Sequence, residues 1–278
     1  MKKTLLILVT FITLSCFAQN DTIFKMNGEL LPVNVKEITE TSIKFSYPGE
    51  DLLNTLSKST VLKIHFKSGR VQEFSTVMNV LNVKSCLDWK NVQISTIESE
   101  VVGLMKIDNL GAKAQGMTTM SSISKLQDRV YNKVKMGSAM LGGNIFYVIE
   151  QHTEDAISGG EYGSTKMPSV SISGICYTSK KVFQREISYG NYSLDMIYVL
   201  HTNAYEIEKA SNKTESFEIS QQGIYMENNF PKIKLNSINT KDVQVYTVIF
   251  ASSNELILSG VKTTKKGKKT YYNLFLKK

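Results

Sequence analysis

The stretch from Ser121 to Glu150 constrains this chain more than any other. Ile123, Leu126, Val130, Val134, Gly137 and Leu141 recur at spacings of three and four, so a helix gathers them on one face. Lys125, Gln127, Asp128, Asn132, Lys133 and Lys135 fall largely on the other faces. Ser121 or Ser122 can accept a bond from an orphan backbone N–H at the start, and Gly142-Gly143 supplies a left-handed stop. Asn144 to Ile149 follows at once, apolar on both faces and therefore central in a sheet. The rest of the chain reads as short strands and turns. The fold class this implies is α+β, mostly β, with one main helix.

Before that stretch, Asp21–Met26, Leu30–Glu37, Thr41–Tyr47, Val61–Phe66 and Val71–Phe74 alternate as strands, with turns at Asn27-Gly28, Pro48-Gly49 and Ser68-Gly69. Five strands in so short a span predict a strongly bent sheet or small SH3-like barrel over residues 19–76. Residues 77–180 read as an α/β domain around the helix. Its strands are expected at Val92–Ile97, Glu100–Ile107 and Ser169–Tyr177, with Gly111 and Gly116 punctuating the approach to the helix and a flexible loop at Ser158–Ser164. Residues 181–278 read as an antiparallel β domain. Its expected strands are Val182–Tyr189, Leu194–His201, Tyr205–Lys209, Ser216–Ser220, Lys232–Leu235, Val243–Ala251, Glu255–Ser259 and Tyr271–Leu276.

Residues 1–18 read as a Sec-type signal peptide: basic Lys2-Lys3, an apolar run from Leu5 to Leu14 too short to span a bilayer, and a small-residue cleavage site ending at Ala18. The alternative is a lipoprotein anchored at Cys16, a chemistry that wants Leu three residues earlier where Thr13 stands. No later run suits a transmembrane helix. The expected location is therefore periplasmic or extracellular. The net charge of +8 falls to +6 once Lys2 and Lys3 leave. That favours contact with an anionic surface, whereas nucleic acid as partner lacks the interleaved basic and aromatic stripe it would need.

After cleavage Cys86 and Cys176 remain. An oxidising compartment permits a disulfide between them, and the competing reading is two separate buried thiols. His65, between Ile64 and Phe66, reads as a half-buried strand histidine because no second ligand lies near it. Trp89 reads as packing a joint between domains.

Val101-Val102-Gly103, the helix end Ala139-Met140-Leu141-Gly142-Gly143-Asn144-Ile145 and the strand Ser173-Gly174-Ile175-Cys176-Tyr177 resemble the YbjQ-like and RcsF-like group of bacterial domains over about residues 92–180. In that group the helix ends in a run of the Ala-Gly-Ala-Asn type and the last strand carries Gly-x-Ala-Tyr. Here Gly143 and Cys176 stand where Ala is usual. The resemblance implies an α/β fold in an oligomeric or envelope-associated protein, and no particular chemistry. The N-terminal cadence likewise resembles a small β module of secreted Bacteroidetes-type proteins.

Two groups of residues invite a functional reading. Glu150, His152 and Glu154 share one face of a strand, with Asp155 beside them, so they can be imagined converging on a divalent cation. The plainer reading is a strand turning polar as it leaves the core. Lys265, Lys266, Lys268 and Lys269 form a basic hairpin tip suited to an anionic surface, or simply solvated. No Gly-x-Ser-x-Gly, His-Glu-x-x-His, Walker-type or Cys-x-x-Cys motif is present. The expectation is a cofactor-free, non-enzymatic envelope protein acting through protein–protein contact or self-association, in assembly or sensing. The alternative is a carrier holding an apolar ligand inside the C-terminal β domain.

Overall fold

The structure, a computed structural model, describes residues 20–26, 29–74, 82–159, 165–202, 206–210, 215–235 and 244–278. The expected signal segment with Cys16, the expected turn at Asn27-Gly28, Met78, Val80, Leu81, Tyr205, Val243 and most of the expected glycine loop lie outside the described residues. The chain is mostly β with one α-helix among the described residues. It divides into two units, Met1–Val77 and Met78–Lys278.

In the first unit β1 (Asp21–Lys25), β2 (Leu30–Ile38), β3 (Ser42–Ser46), β4 (Asn54–Ser57), β5 (Val61–His65) and β6 (Val71–Glu73) form one antiparallel sheet in the order β4-β3-β2-β1-β5-β6. β4 is a strand that the sequence pattern does not announce. β2 serves both halves of the sheet, pairing with β1 through Leu30–Val33 and with β3 through Asn34–Ile38. A bulge between Val35 and Glu37 makes the bend between them. Ile23, Val33, Ile43, Phe45, Val61, Ile64 and Phe74 fill the concave side. The buried carboxylate of Asp21 accepts from Val35 N and Lys67 N, both at 2.8 Å, and so ties the bend to the turn after β5.

The second unit holds a four-stranded sheet and an eight-stranded one. β7 (Gln93–Ser95), β8 (Met105–Gln115), β9 (Ile145–Glu154) and β10 (Ser169–Thr178) run in the order β7-β9-β10-β8, with β7 parallel to β9 and the other pairs antiparallel. Helix α1 (Ile123–Met140) lies on one face of this sheet and buries Leu126, Val130, Val134 and Gly137. Ser122 stands at its N-cap, but its hydroxyl meets Ser124 Oγ at 2.8 Å rather than capping a backbone N–H. β8 also departs from expectation: it runs straight through Gly111, while residues 98–104 turn back, with Ser95 Oγ bonded to Glu100 Oε2 at 2.6 Å.

The large sheet contains β11 (Gly190–His201), β12 (Ile207–Ala210), β13 (Ser216–Ile219), β14 (Ile224–Glu227), β15 (Phe230–Lys234), β16 (Val245–Ala251), β17 (Glu255–Thr263) and β18 (Lys269–Lys277). Its order is β12-β11-β18-β17-β16-β15-β14, and β13 also pairs with β11. β13 and β14 belong to opposite margins yet are separated only by Ser220–Gly223. The chain can span no more than about 18 Å between them, so the sheet curls until its margins nearly meet. The expected strand at Val182–Tyr189 is instead a short 3₁₀ turn at Gln184–Glu186, because Glu186 folds back to accept from Phe183 N. The sequence places a boundary near residue 180, but one apolar cluster crosses it. Leu200 and Tyr271 of the large sheet pack in the same cluster as the helix and the small sheet.

Candidate functional site

The helix ends where the two sheets of the second unit approach. Gly142 takes φ +80°, which only glycine adopts without strain. Gly143 N then bonds Ser138 O at 2.8 Å and Gly142 N bonds Ala139 O at 3.0 Å, the paired reverse bonds of a Schellman stop. Ile249, extruded by a bulge in β16, packs against Gly142. The remaining carbonyl of this turn, Met140 O, accepts from Asn273 Nδ2 at 2.7 Å, and Asn273 Oδ1 accepts from Cys86 N at 2.9 Å. Asn273 is fully buried, so one amide clasps the helix end, β18 and the short helical turn Cys86–Asn91 together.

From that clasp a polar row crosses the outer face of the large sheet. Asn273 pairs with Ser259, Ser259 with Thr247 and Thr247 with Lys232 in register. Beside the helix end these residues open into a groove of about 310 Å³ walled by Ile107, Leu141, Phe230, Val245 and Val261. Val245 and Val261 are 40% and 37% exposed, large apolar side chains left facing water. A type I′ turn at Asn228-Asn229, both with positive φ, sets the rim. The charges at the rim answer one another. Asp108 Oδ2 accepts from Lys269 Nζ at 2.8 Å and its Oδ1 from Asn109 N at 2.8 Å, while Lys232 Nζ lies 3.6 Å from Glu227. The groove therefore offers apolar walls and hydroxyls rather than a free acid or base.

The inner face of the same sheet is solid. Tyr192, Tyr246, Val248, Leu256, Leu258, Leu274 and Leu276 converge there with almost no exposure, as side chains do in the interior of a small barrel. In the first unit a shallow depression of about 510 Å³ opens at the β2 bulge, lined by Lys36, Thr39, Lys58, Phe66 and Arg70 among others. The Arg70 guanidinium covers the Phe66 ring at 4.0 Å.

The residues singled out from the sequence are placed as follows. Glu150, His152 and Glu154 lie along the exposed half of β9, and of the three only His152 and Glu154 approach one another. Glu154 Oε2 accepts from Ser169 Oγ at 2.8 Å with Lys113 Nζ at 3.9 Å, and His152 Nε2 sits 3.7 Å from its other oxygen. The Ser169 bond and the Lys113 charge hold this carboxyl below the usual range. No group of three His, Cys, Asp or Glu residues able to hold a metal occurs among the described residues. Cys86 and Cys176 are separate, fully buried free thiols, and burial pushes each up to about 12. Their disulfide is not formed: Cys86 is fixed beneath Asn273, whereas Cys176 points at Ser138 O, 3.9 Å away.

Lys265, Lys266 and Lys268 stay exposed at the β17–β18 turn, while Lys269 is drawn into the Asp108 pair. His65 stacks on Phe24 at 4.4 Å, and Trp89 packs against the apolar cluster that holds the helix. The groove itself is invisible to motif reading. Its signals were Asn228-Asn229, and a lone Asn273 inside the apolar run Tyr271–Leu276.

No family model, curated protein or solved structure matches this chain.

Proposed function

We propose that this protein is an exported, non-catalytic envelope component that works by protein–protein contact, in assembly or sensing. The carrying observation is the groove beside the helix end, where exposed Val245 and Val261 border a row of hydroxyls. Exposed apolar patches rimmed by polar groups are the usual form of a contact site. The filled interior of the curled sheet supports this reading over carriage of an apolar ligand, which needs an enclosed cavity. The likeness of residues 92–180 to YbjQ-like and RcsF-like domains belongs to the same reading. No helix among the described residues is long and apolar enough to cross a membrane.

Crosslinking in intact cells followed by capture of the tagged protein tests the proposal. One dominant stoichiometric partner, or a second copy, is expected, and Val245→Glu with Val261→Glu should abolish its recovery without lowering Tm. Recovery unchanged by those substitutions, together with saturable binding of a fluorescent fatty acid, would overturn it.

A further inference from the structure

A second surface of the same unit is built from other residues. Phe250 follows the bulge in β16 and belongs to neither apolar cluster of the unit. Its ring is instead flanked by Lys84 Nζ and Lys180 Nζ, each 5.3 Å from the centroid. Phe183, also outside both clusters, repeats the arrangement with Lys181 Nζ at 5.4 Å and Arg185 Cζ at 4.8 Å. A ring face attracts a cation, and an anion placed between two cations held at one ring would relieve their mutual repulsion.

The nearby acids do not supply that anion. Asp88 Oδ2 accepts from the backbone N–H groups of Lys84 and Ser85 at 2.9 and 3.3 Å, and Glu186 Oε2 accepts from Phe183 N at 3.0 Å. Lys84, Lys180, Lys181 and Arg185 make no ion pair among the described residues. The display is also firmly mounted. Val182 and Ile187 are buried in the core of the large sheet and pin the intervening turn, so its basic and aromatic side chains face outward.

Leu87 and Tyr189, 55% and 39% exposed, lie on the same two segments. This mixture decides between anionic partners. An acidic polysaccharide would use the cations but has no use for Leu87, and it would find the ring faces already covered. The headgroup zone of a bilayer takes both kinds of group, cations at the phosphates and aliphatic or aromatic side chains at the acyl boundary.

We propose that Lys84, Lys180, Lys181, Arg185, Phe183 and Phe250 form a docking surface for a bilayer rich in anionic phospholipid. It goes beyond the protein-contact reading and does not depend on it.

Co-sedimentation of the purified protein with vesicles of phosphatidylglycerol and phosphatidylcholine, against phosphatidylcholine alone, tests it. Binding is expected only to the anionic vesicles. The combined substitution Lys84→Gln, Lys180→Gln and Arg185→Gln should weaken it roughly 100-fold, since each basic residue near such a surface multiplies affinity about fivefold. Leu87→Ser should weaken it at unchanged charge. Lys265→Gln, Lys266→Gln and Lys268→Gln together should change it less than about threefold. All are surface changes, and an unchanged melting curve shows that each variant folds. Absence of binding, a larger loss from the hairpin variant than from the patch variant, or full displacement by polygalacturonate with Leu87→Ser unaffected would each overturn the proposal.

Discussion

A methyl group added to Gly143 would meet Cys176 Sγ at 2.1 Å, inside the van der Waals contact of both atoms. The missing side chain at Gly143 is what makes room for the Cys176 thiol. Gly143→Ala should therefore destabilise the second unit by about 2 kcal/mol through overpacking. Cys176→Ala should recover much of that loss in the double variant, a coupling readable from a urea-denaturation cycle. The two thiols carry a pH signature as well. Each has a folded pKa raised by burial from 9.0 to about 12. Their contribution is complete below about pH 9 and is lost as pH rises from there towards about 12, at about 1.4 kcal/mol per pH unit per thiol. Equilibrium unfolding across that window checks the slope, and alkylation at pH 8 should proceed only as fast as the unit opens.

Among the elements, Asn273 joins parts that no local pattern connects. Asn273→Ala leaves Cys86 N and Met140 O buried without their partner, which should cost about 2–4 kcal/mol. Asn273→Asp restores one acceptor but not the donor, so an intermediate loss in chemical denaturation is expected. The elements themselves were largely legible in the sequence. The stripe Leu126, Val130, Val134 marks the buried face of α1, and the alternation of Ser169–Tyr177 marks β10, because burial on one side imposes a period on composition. Segments closed by a side chain were not legible. Glu186 turning onto Phe183 and Glu100 onto Ser95 make turns out of runs with strand-like composition. The metal reading of Glu150, His152 and Glu154 followed correctly from spacing along one strand. It could not foresee that the adjacent β10 and β8 would bring Ser169 and Lys113 to Glu154. The groove was illegible for the same reason, since its walls come from β8, the helix end and β14–β17.

At the scale of the molecule the two units have separate apolar interiors, so each should unfold cooperatively on its own account. Asp21→Asn replaces an acceptor of two backbone N–H groups by an amide that meets one of them with a donor. It should lower the midpoint of the first unit's transition alone, followed by tyrosine and tryptophan fluorescence, Trp89 reporting only the second unit. Within the second unit no such division is expected. A chain ending at residue 180 lacks Leu200 and Tyr271 from the cluster around α1, and its helix should melt at a lower temperature, followed by circular dichroism at 222 nm.

The clasp at Asn273 has a consequence in time. Ribosomes make α1 long before they make its fastener, 133 residues downstream of Met140. Strand β11 similarly waits for β18, its neighbour in the large sheet. Until β18 arrives the carbonyl of Met140 and one edge of β11 lack their partners, although the face of the helix is already covered by the small sheet. The large sheet therefore stays unclosed through most of the making of the second unit and is locked to the helix end only when β18 is delivered.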